Sequence, residues 1–286
     1  MTIAPPPTSS LAQLRARLDA LDDQIHDLFM QRAKVVESVA TEGGKTGTKI
    51  RPGREAIILR RLLDRHSGAL PRQAIVRIWR EMFGAALIIE GGQTMAVCDG
   101  DGGETRMALA REHFGPLTPC RRHANPAQTL ADLTREGGAQ LAVLPAFAEA
   151  DESHGGWWPL LTGSAAHRLH VIAKIPFWLK RSEGLPQGEA YVVATVPPDP
   201  SGHDRALIAF ILLNAEVSRA RITALVKEAG FELDTLFVRR LPGDTRLHVL
   251  VEVDGLIADD DARLAALAGT DGPPVVIGGF AVPVEA

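Results

Sequence analysis

The chain has 286 residues, enough for two or three domains, and 45% of them are hydrophobic, which is ample for buried cores. Its 31 basic and 35 acidic residues give a net charge of −4, a balance that does not favour binding to nucleic acid or to a membrane surface. The two cysteines, Cys98 and Cys120, lie far apart without metal-ligand spacing, which favours free thiols in a cytoplasmic protein. The start of the chain lacks the pattern of a signal peptide, and no apolar run is long enough to span a membrane.

Hydrophobic residues at alternating steps of three and four predict a long first helix from Leu11 to Val39. One position of this apolar stripe is occupied by Arg32, and Arg15 lies beside the stripe more than four turns earlier. A guanidinium is costly to bury without an anion, so Arg32 predicts a carboxylate partner from the protein or from a ligand. Because a helix of this length is roughly 45 Å long, a second chain is its expected cover.

Two shorter helices are predicted next, Arg54 to His66 and Pro71 to about Glu90, after a glycine-rich loop. Their inward positions are predicted to be Ile57, Ile58, Leu62 and Leu63 on the second helix, and Ile75, Ile78, Met82, Ala86 and Ile89 on the third. Several cations and a carboxylate would therefore converge on one apolar bundle, which is typical of a site for a small dianion. The charged residues of this region are Arg15, Arg32, Lys45, Lys49, Arg54, Glu55 and Glu90. The alternative is a set of solvated surface charges.

Four segments of this region carry a family resemblance. They are residues 14–22 (LRARLDALD), 31–32 (QR), 51–56 (RPGREA) and 78–82 (IWREM). In order and spacing they resemble chorismate mutases of the all-helical class, over nearly all of residues 10–91. The resemblance implies a three-helix bundle over residues 1–92, an intertwined homodimer, chorismate as the substrate, and neither cofactor nor metal.

The resemblance also implies roles for the cations. Arg15 would be supplied across the dimer interface by the partner chain, and Arg32 would be the conserved pocket arginine. The loop lysine of the family would be Lys45 or Lys49, and the variable length of the loop leaves both open. Arg54 would contribute to substrate binding.

Four further positions follow from the same resemblance. Glu55 would contact the substrate hydroxyl, and Glu90 would stand where many members carry a glutamine that donates to the breaking ether bond. Glu90 can donate only when protonated. Ile58 and Ala86 would border the substrate where some members have an arginine and a serine.

The rearrangement of chorismate to prephenate, a step towards phenylalanine and tyrosine, accounts for these residue types. It needs no nucleophile, metal or proton transfer. Cations that clamp both carboxylates hold the compact reactive conformer, and donors at the ether oxygen stabilise its developing negative charge. Two other readings stay open: a lyase that acts on isochorismate in the same pocket, and a ligand-sensing regulatory protein with weak mutase activity.

Alternating strands and helices predict an α/β domain over residues 93–202. The predicted strands are Met95–Cys98, Gln140–Leu144, His170–Ile175 and Ala190–Val196, with helices at Thr105–Phe114 and Pro126–Glu136. This region resembles a reduced prephenate dehydratase. Ala146-Phe147-Ala148 stands where that family has Glu-Asn-Ser/Thr, and Glu189-Ala190-Tyr191 stands where it has Thr-Arg-Phe. With too few residues for a second lobe as well, the region is expected to have lost dehydratase activity.

Three of the four tryptophans and a phenylalanine are concentrated in the same region, namely Trp157, Trp158, Phe177 and Trp178. They would either close a surface that the missing lobe once buried or form a pocket for an aromatic ligand.

Residues 203–286 show the order βαββαβ of a ferredoxin-like module, with its second helix predicted at Asp259–Ala268. The pattern resembles an ACT regulatory domain, although Phe237-Val238-Arg239-Arg240 replaces the Glu-Ser-Arg-Pro motif of that family. An amino-acid effector is therefore left open, with a dimerising or structural module as the alternative. The whole chain is predicted to combine an all-helical bundle with a reduced α/β lobe and an ACT-like module, in the class α plus α/β.

Overall fold

The computed structural model describes residues 10–43, 49–148, 156–163, 168–181, 183–214, 216–240, 245–267 and 269–285. An N-terminal helical region is followed by a mixed α/β region built on one nine-stranded sheet. This arrangement confirms the predicted fold class. Among the described helices, none combines the length and apolar character needed to cross a bilayer.

The first helix, α1 (Leu11–Gly43), contacts α3, and most of its residues are exposed. The predicted apolar stripe lies on its surface, with Leu11, Leu14, Leu18, Leu21, Ile25, Leu28, Val35 and Val39 between 45% and 63% exposed. A row of eight large apolar side chains in water is unusual for a folded chain, because burying each one contributes roughly 1.5–3 kcal/mol. The single chain therefore leaves unburied the face that the sequence predicts to be covered.

Helices α2 (Pro52–Arg65) and α3 (Arg72–Ile89) each carry two apolar faces. Of the positions predicted to face inward, Leu63 is buried, whereas Ile57, Ile78 and Ile89 are exposed in the single chain. The other predicted positions are half-buried. The buried face of α2 is Ala56, Leu59 and Leu63, and that of α3 is Val76, Arg80, Phe83 and Leu87. These faces pack on the rest of the chain, where α2 contacts β9 and α3 contacts α4. The other faces remain available for α1 and for a second chain.

The start of α2 is fixed by a distant carboxylate. Asp199 accepts hydrogen bonds from the backbone N–H groups of Gly53 (2.9 Å) and Arg54 (3.1 Å) and pairs with Arg51 at 3.3 Å. A carboxylate in this place satisfies N–H groups that a helix start leaves free and complements the helix dipole. A Cβ on Gly53 would lie 2.2 Å from the carbonyl oxygen of Asp199, so only glycine allows this approach.

The sheet has the strand order β2-β1-β3-β5-β4-β9-β6-β8-β7. Strand β1 pairs in parallel with β2 and β3, β4 pairs in parallel with β9, and the other neighbours are antiparallel. The strands are β1 (Met95–Cys98), β2 (Cys120–His123), β3 (Leu141–Pro145), β4 (His170–Ile175), β5 (Ala190–Ala194), β6 (Asp204–Leu212), β7 (Leu233–Arg240), β8 (Leu247–Asp254) and β9 (Val275–Ala281). The sheet is flanked by α4 (Gly103–Phe114), α5 (Pro126–Thr134) and α6 (Arg219–Glu228). One sheet thus runs through both regions that the sequence divides at residue 202.

Two elements differ from prediction. Strand β2 was not expected, because its sequence Cys-Arg-Arg-His has no apolar pattern, and such a strand is tolerated at the sheet edge. The second helix of the C-terminal module was predicted at Asp259–Ala268, but in the described part of this range, residues 259–267, only a 3₁₀ turn forms, at Ala262–Ala266. The strands of this module still lie in the order β9-β6-β8-β7 with antiparallel pairing.

The four aromatic residues Trp157, Trp158, Phe177 and Trp178 are buried, in two places. Trp157 and Trp158 pack with Phe147 on one face of the sheet, where the Trp157 indole N–H donates to the Pro145 carbonyl at 3.0 Å. Phe177 and Trp178 pack instead against the buried face of α2. These four side chains therefore contribute to the packed core of the chain.

Candidate functional site

The buried contact between α2, α3 and α4 is an ion pair beside a histidine. Arg80 donates to Oε2 of Glu55 at 2.5 Å, and the two side chains are only 6% and 11% exposed. Nη1 of Arg80 also lies 3.2 Å from Nε2 of His113 on α4. Because a guanidinium can only donate, this nitrogen of His113 acts as an acceptor and the ring is neutral.

Burial dominates the ionisation of all three groups. It raises the pKa of Glu55, although the charge and hydrogen bond of Arg80 act in the opposite direction. Burial lowers the pKa of Arg80 against the attraction of Glu55. Burial and the nearby Arg80 charge together hold the pKa of His113 well below its ordinary value of 6.5. The cluster therefore joins the helical segment to the α/β region by groups that are costly to leave unpaired.

We expect His113 to make the protein less stable in mild acid. Below its ordinary pKa of 6.5 the unfolded chain binds a proton that the folded chain excludes. Stability should therefore fall as the pH decreases below this value, by up to about 1.4 kcal/mol per pH unit. His113→Gln keeps an acceptor and cannot titrate, so urea unfolding between pH 7 and pH 5 should show a smaller loss for the variant.

The comparison of the two proteins at each pH isolates His113 from the other groups. The raised pKa of Glu55 acts with the opposite sign, because its contribution to stability falls as the pH rises above 4.5. That contribution is present in both proteins. Equal losses in the parent and in His113→Gln would contradict the neutral, buried histidine.

A second polar site lies at the C-terminal end of α3. A cavity of about 730 Å³ opens there against the amino ends of β1, β2 and β3. Lys49 and Glu90 both line it, each half-buried, together with Leu87, Gln93 and Thr118. Within the described residues, neither Lys49 nor Glu90 forms an ion pair or hydrogen bond through its side chain. The cavity thus presents one ammonium and one carboxylate to a ligand.

The remaining predicted residues lie elsewhere in the single chain. Arg15 is exposed on α1, Arg32 is half-buried on the same helix, and Arg54 is exposed at the start of α2. Lys45 lies outside the described residues. Ile58 and Ala86 are half-buried. Of the predicted set, the structure brings together Lys49 and Glu90, whereas Glu55 is engaged by Arg80.

Three residues of these sites were not predicted: Arg80, His113 and Gln93. Arg80 could have been found, because it lies on the apolar stripe of α3 with Val76, Phe83 and Leu87, as Arg32 does on α1. His113 and Gln93 carry no such signal, since their surroundings come from parts of the chain distant in sequence.

The helical segment is similar to a known protein family. The family model described as chorismate mutase type II matches residues 14–91. This N-terminal segment is a chorismate mutase domain. The mutase domain therefore includes α1 almost entirely, α2 and α3, and it ends next to the cavity that Lys49 and Glu90 line.

Relatives extend the similarity beyond the mutase domain. The bifunctional chorismate mutase/prephenate dehydratase of Neisseria gonorrhoeae is 27% identical over 263 residues, which are 89% of this chain and 62% of that protein. The protein of the same description from Pseudomonas aeruginosa is 32% identical over 144 residues, which are 47% of this chain and 38% of that protein. The chain thus spans less than two thirds of the length of these relatives.

Solved structures show weaker likeness. A quorum-quenching acylase, GqqA, aligns with a TM-score of 0.49 and 18% identity over 67% of this chain and 95% of that one. Prephenate dehydratase from Streptococcus mutans aligns with a TM-score of 0.47 and 13% identity, over 67% and 98% of the two chains. At TM-scores below 0.5 we infer nothing further from them.

Two positions where the sequence departs from dehydratases lie in the aromatic core. Phe147 stacks on Tyr191 with 4.2 Å between the ring centroids. The Tyr191 hydroxyl donates to Oε1 of Glu252 at 2.5 Å, and burial with the Glu252 charge raises the pKa of Tyr191 well above its ordinary value. Both residues are buried, so here these positions contribute to packing.

Proposed function

We propose that this chain is a chorismate mutase that converts chorismate to prephenate in the biosynthesis of phenylalanine and tyrosine. The observation that carries the proposal is the cavity in which Lys49 and Glu90 lie together, next to a segment of the mutase family. A flexible ammonium suits a carboxylate or the ether oxygen of the substrate, and preorganised charge in a partly enclosed site stabilises the developing oxyanion. Between the two candidate loop lysines, we assign this role to Lys49.

The active unit in this proposal is a homodimer. The exposed apolar stripe of α1 and the exposed faces of α2 and α3 are the surfaces that a second copy would cover. Arg15 would then reach the active site of the partner, while Arg32 and Arg54 would bind the substrate carboxylates in their own chain. Ile58 and Ala86 would border the substrate.

The proposed roles of the two carboxylates, Glu90 and Glu55, differ. Glu90 would face the ether oxygen of the substrate. Glu55 would reach the substrate only if its pair with Arg80 opened, so we assign it to the anchoring of α2 on α3 instead.

We propose further that the α/β region has lost dehydratase activity. Two of the positions expected to carry the dehydratase signatures contribute Phe147 and Tyr191 to a packed aromatic core, which leaves them unable to act on a substrate there. The proposed domains are the mutase bundle over residues 1–92, the degenerate lobe over 93–202 and the ACT-like module over 203–286.

Product identification tests the proposal. The purified chain is given chorismate, with and without L-phenylalanine and L-tyrosine, and the products are separated by chromatography. We expect prephenate without phenylpyruvate. Formation of phenylpyruvate would contradict the loss of dehydratase activity, and release of pyruvate from isochorismate with no prephenate from chorismate would identify a lyase. No turnover at any pH would leave a regulatory role, and a change in rate with either amino acid would identify an effector.

A further inference from the structure

Gln93 presents an unusual buried amide. It follows the turn that ends α3, where Gly91 and Gly92 adopt positive φ values of 110° and 74°, and it precedes β1. The residue is only 7% exposed, and its amide nitrogen and oxygen are shielded from solvent without a hydrogen-bond partner among the residues that the structure describes. Buried polar groups nearly always have a hydrogen-bond partner. We therefore expect both amide atoms to form hydrogen bonds with a group that is not part of the polypeptide.

Gln140 lines the same cavity, and both ends of its amide form hydrogen bonds with the chain. Its Oε1 accepts from the backbone N–H of Thr94 at 2.7 Å, and its Nε2 donates to the carbonyl of Gly138 at 3.0 Å. The two glutamines line one cavity, yet only Gln140 is engaged by the chain. The unpartnered amide of Gln93 is therefore a property of that residue and not of the cavity wall in general.

The chemistry of a primary amide limits the ligand group that can satisfy Gln93. A carboxylate only accepts, so it would pair with the amide N–H and leave the amide carbonyl buried without a donor. A hydroxyl both donates and accepts, and it can close a ring of two hydrogen bonds with one amide. Lys49 and Glu90 occupy the same cavity and provide the charges for other parts of a ligand.

The substrate of the proposed reaction carries one hydroxyl on its ring. By family resemblance Glu55 would bind this hydroxyl, but Arg80 engages Glu55 in a buried pair at 2.5 Å. In the single chain the substrate hydroxyl thus lacks its expected partner, and Gln93 lacks both of its own.

We propose that the side chain of Gln93 rotates towards the cavity and recognises the ring hydroxyl of chorismate, with the amide N–H donating to the hydroxyl oxygen and the amide carbonyl accepting a hydrogen bond from the hydroxyl. This inference rests on the proposed function and adds a specificity residue to the same site. A site built to pair with a hydroxyl discriminates strongly against an analogue that lacks it, because the buried amide is then left unsatisfied. Gln93 is thereby a determinant of preference for hydroxyl-bearing substrates.

The test compares Gln93→Leu with Gln140→Leu as a matched control. For each protein, kcat and KM are measured with chorismate and with 4-deoxychorismate, the dissociation constant for prephenate by calorimetry, and the thermal midpoint by circular dichroism. In Gln93→Leu we expect kcat/KM for chorismate and affinity for prephenate to fall about 10-fold or more. Its kcat/KM for 4-deoxychorismate should not fall, and its thermal midpoint should not decrease. Gln140→Leu loses the two internal hydrogen bonds of its amide, so it should lower the thermal midpoint and change kcat/KM for chorismate and for 4-deoxychorismate by the same factor.

Each contrary outcome has its own meaning. If Gln93→Leu turns over chorismate as the parent does, the partner of the amide is a buried water and the inference fails while the proposed function stands. If both substrates lose turnover equally, Gln93 acts through the structure and not through the hydroxyl, which also overturns the inference. If the parent chain does not turn over chorismate, the proposed function fails and the inference fails with it.

Discussion

Leu28→Glu yields a folded chain that neither self-associates nor turns over chorismate. Leu28 lies in the middle of the exposed stripe of α1 and is 61% exposed in the single chain. A carboxylate there stays in water in the monomer, so the fold should be retained. In a dimer it would be buried against apolar side chains, and the cost of an unpaired buried charge exceeds what one leucine contributes to the interface. Arg15 would then no longer reach a partner site.

Leu213→Glu is a matched control, because Leu213 is 62% exposed at the end of β6 and far from α1 in sequence. Light scattering after gel filtration gives the mass, and circular dichroism gives the helix content. The control should remain dimeric and active. A dimeric, active Leu28→Glu protein would contradict the assignment of this stripe to the interface.

Arg80→Leu lowers the stability of the protein by about 3–5 kcal/mol, because it leaves the Glu55 carboxyl group buried without its partner. The thermal midpoint should decrease by roughly 5–10 °C. Removing both charges in Arg80→Leu/Glu55→Leu should restore most of this loss, since a buried ion pair can often be replaced by apolar groups at little cost. The two variants together separate the cost of a lone charge from the loss of packing.

Arg77→Leu provides the control on the same helix. Arg77 is exposed, so its replacement should change stability by less than about 0.5 kcal/mol. Urea and thermal unfolding give both values. If Arg80→Leu is as stable as Arg77→Leu, the buried pair of Arg80 and Glu55 does not stabilise the fold.

Local patterns were sufficient to predict most elements. The stripe of α1 follows from its three- and four-residue spacing, and strands such as His170–Ile175 follow from continuous apolar runs. Strand β2 could not be predicted from its own residues, because they are polar. It forms because it pairs with β1. The pairing of β4 with β9 could not be predicted either, since it connects residues more than a hundred positions apart.

The candidate site was predictable only in part, for a related reason. Helices α2 and α3 have two apolar faces each, and local sequence does not indicate which face meets the α/β region and which awaits another chain. Lys49 and Glu90 were identified by family resemblance, and the structure places both in one cavity. The engagement of Glu55 by Arg80 depends on the packing of α2 against α3 and therefore could not be predicted from α2 alone.

The central claim is that two copies of the chain build each mutase site, and mixing two inactive variants tests it most directly. Arg15→Ala and Lys49→Ala should each lose turnover as separately purified proteins. Coexpressed with separable tags, they form mixed dimers in which one site holds both intact residues. We expect roughly a quarter of the parental activity, because half of the dimers are mixed and each has one working site. Mixed dimers without recovered activity, or a fully active Arg15→Ala protein, would contradict a site shared between chains.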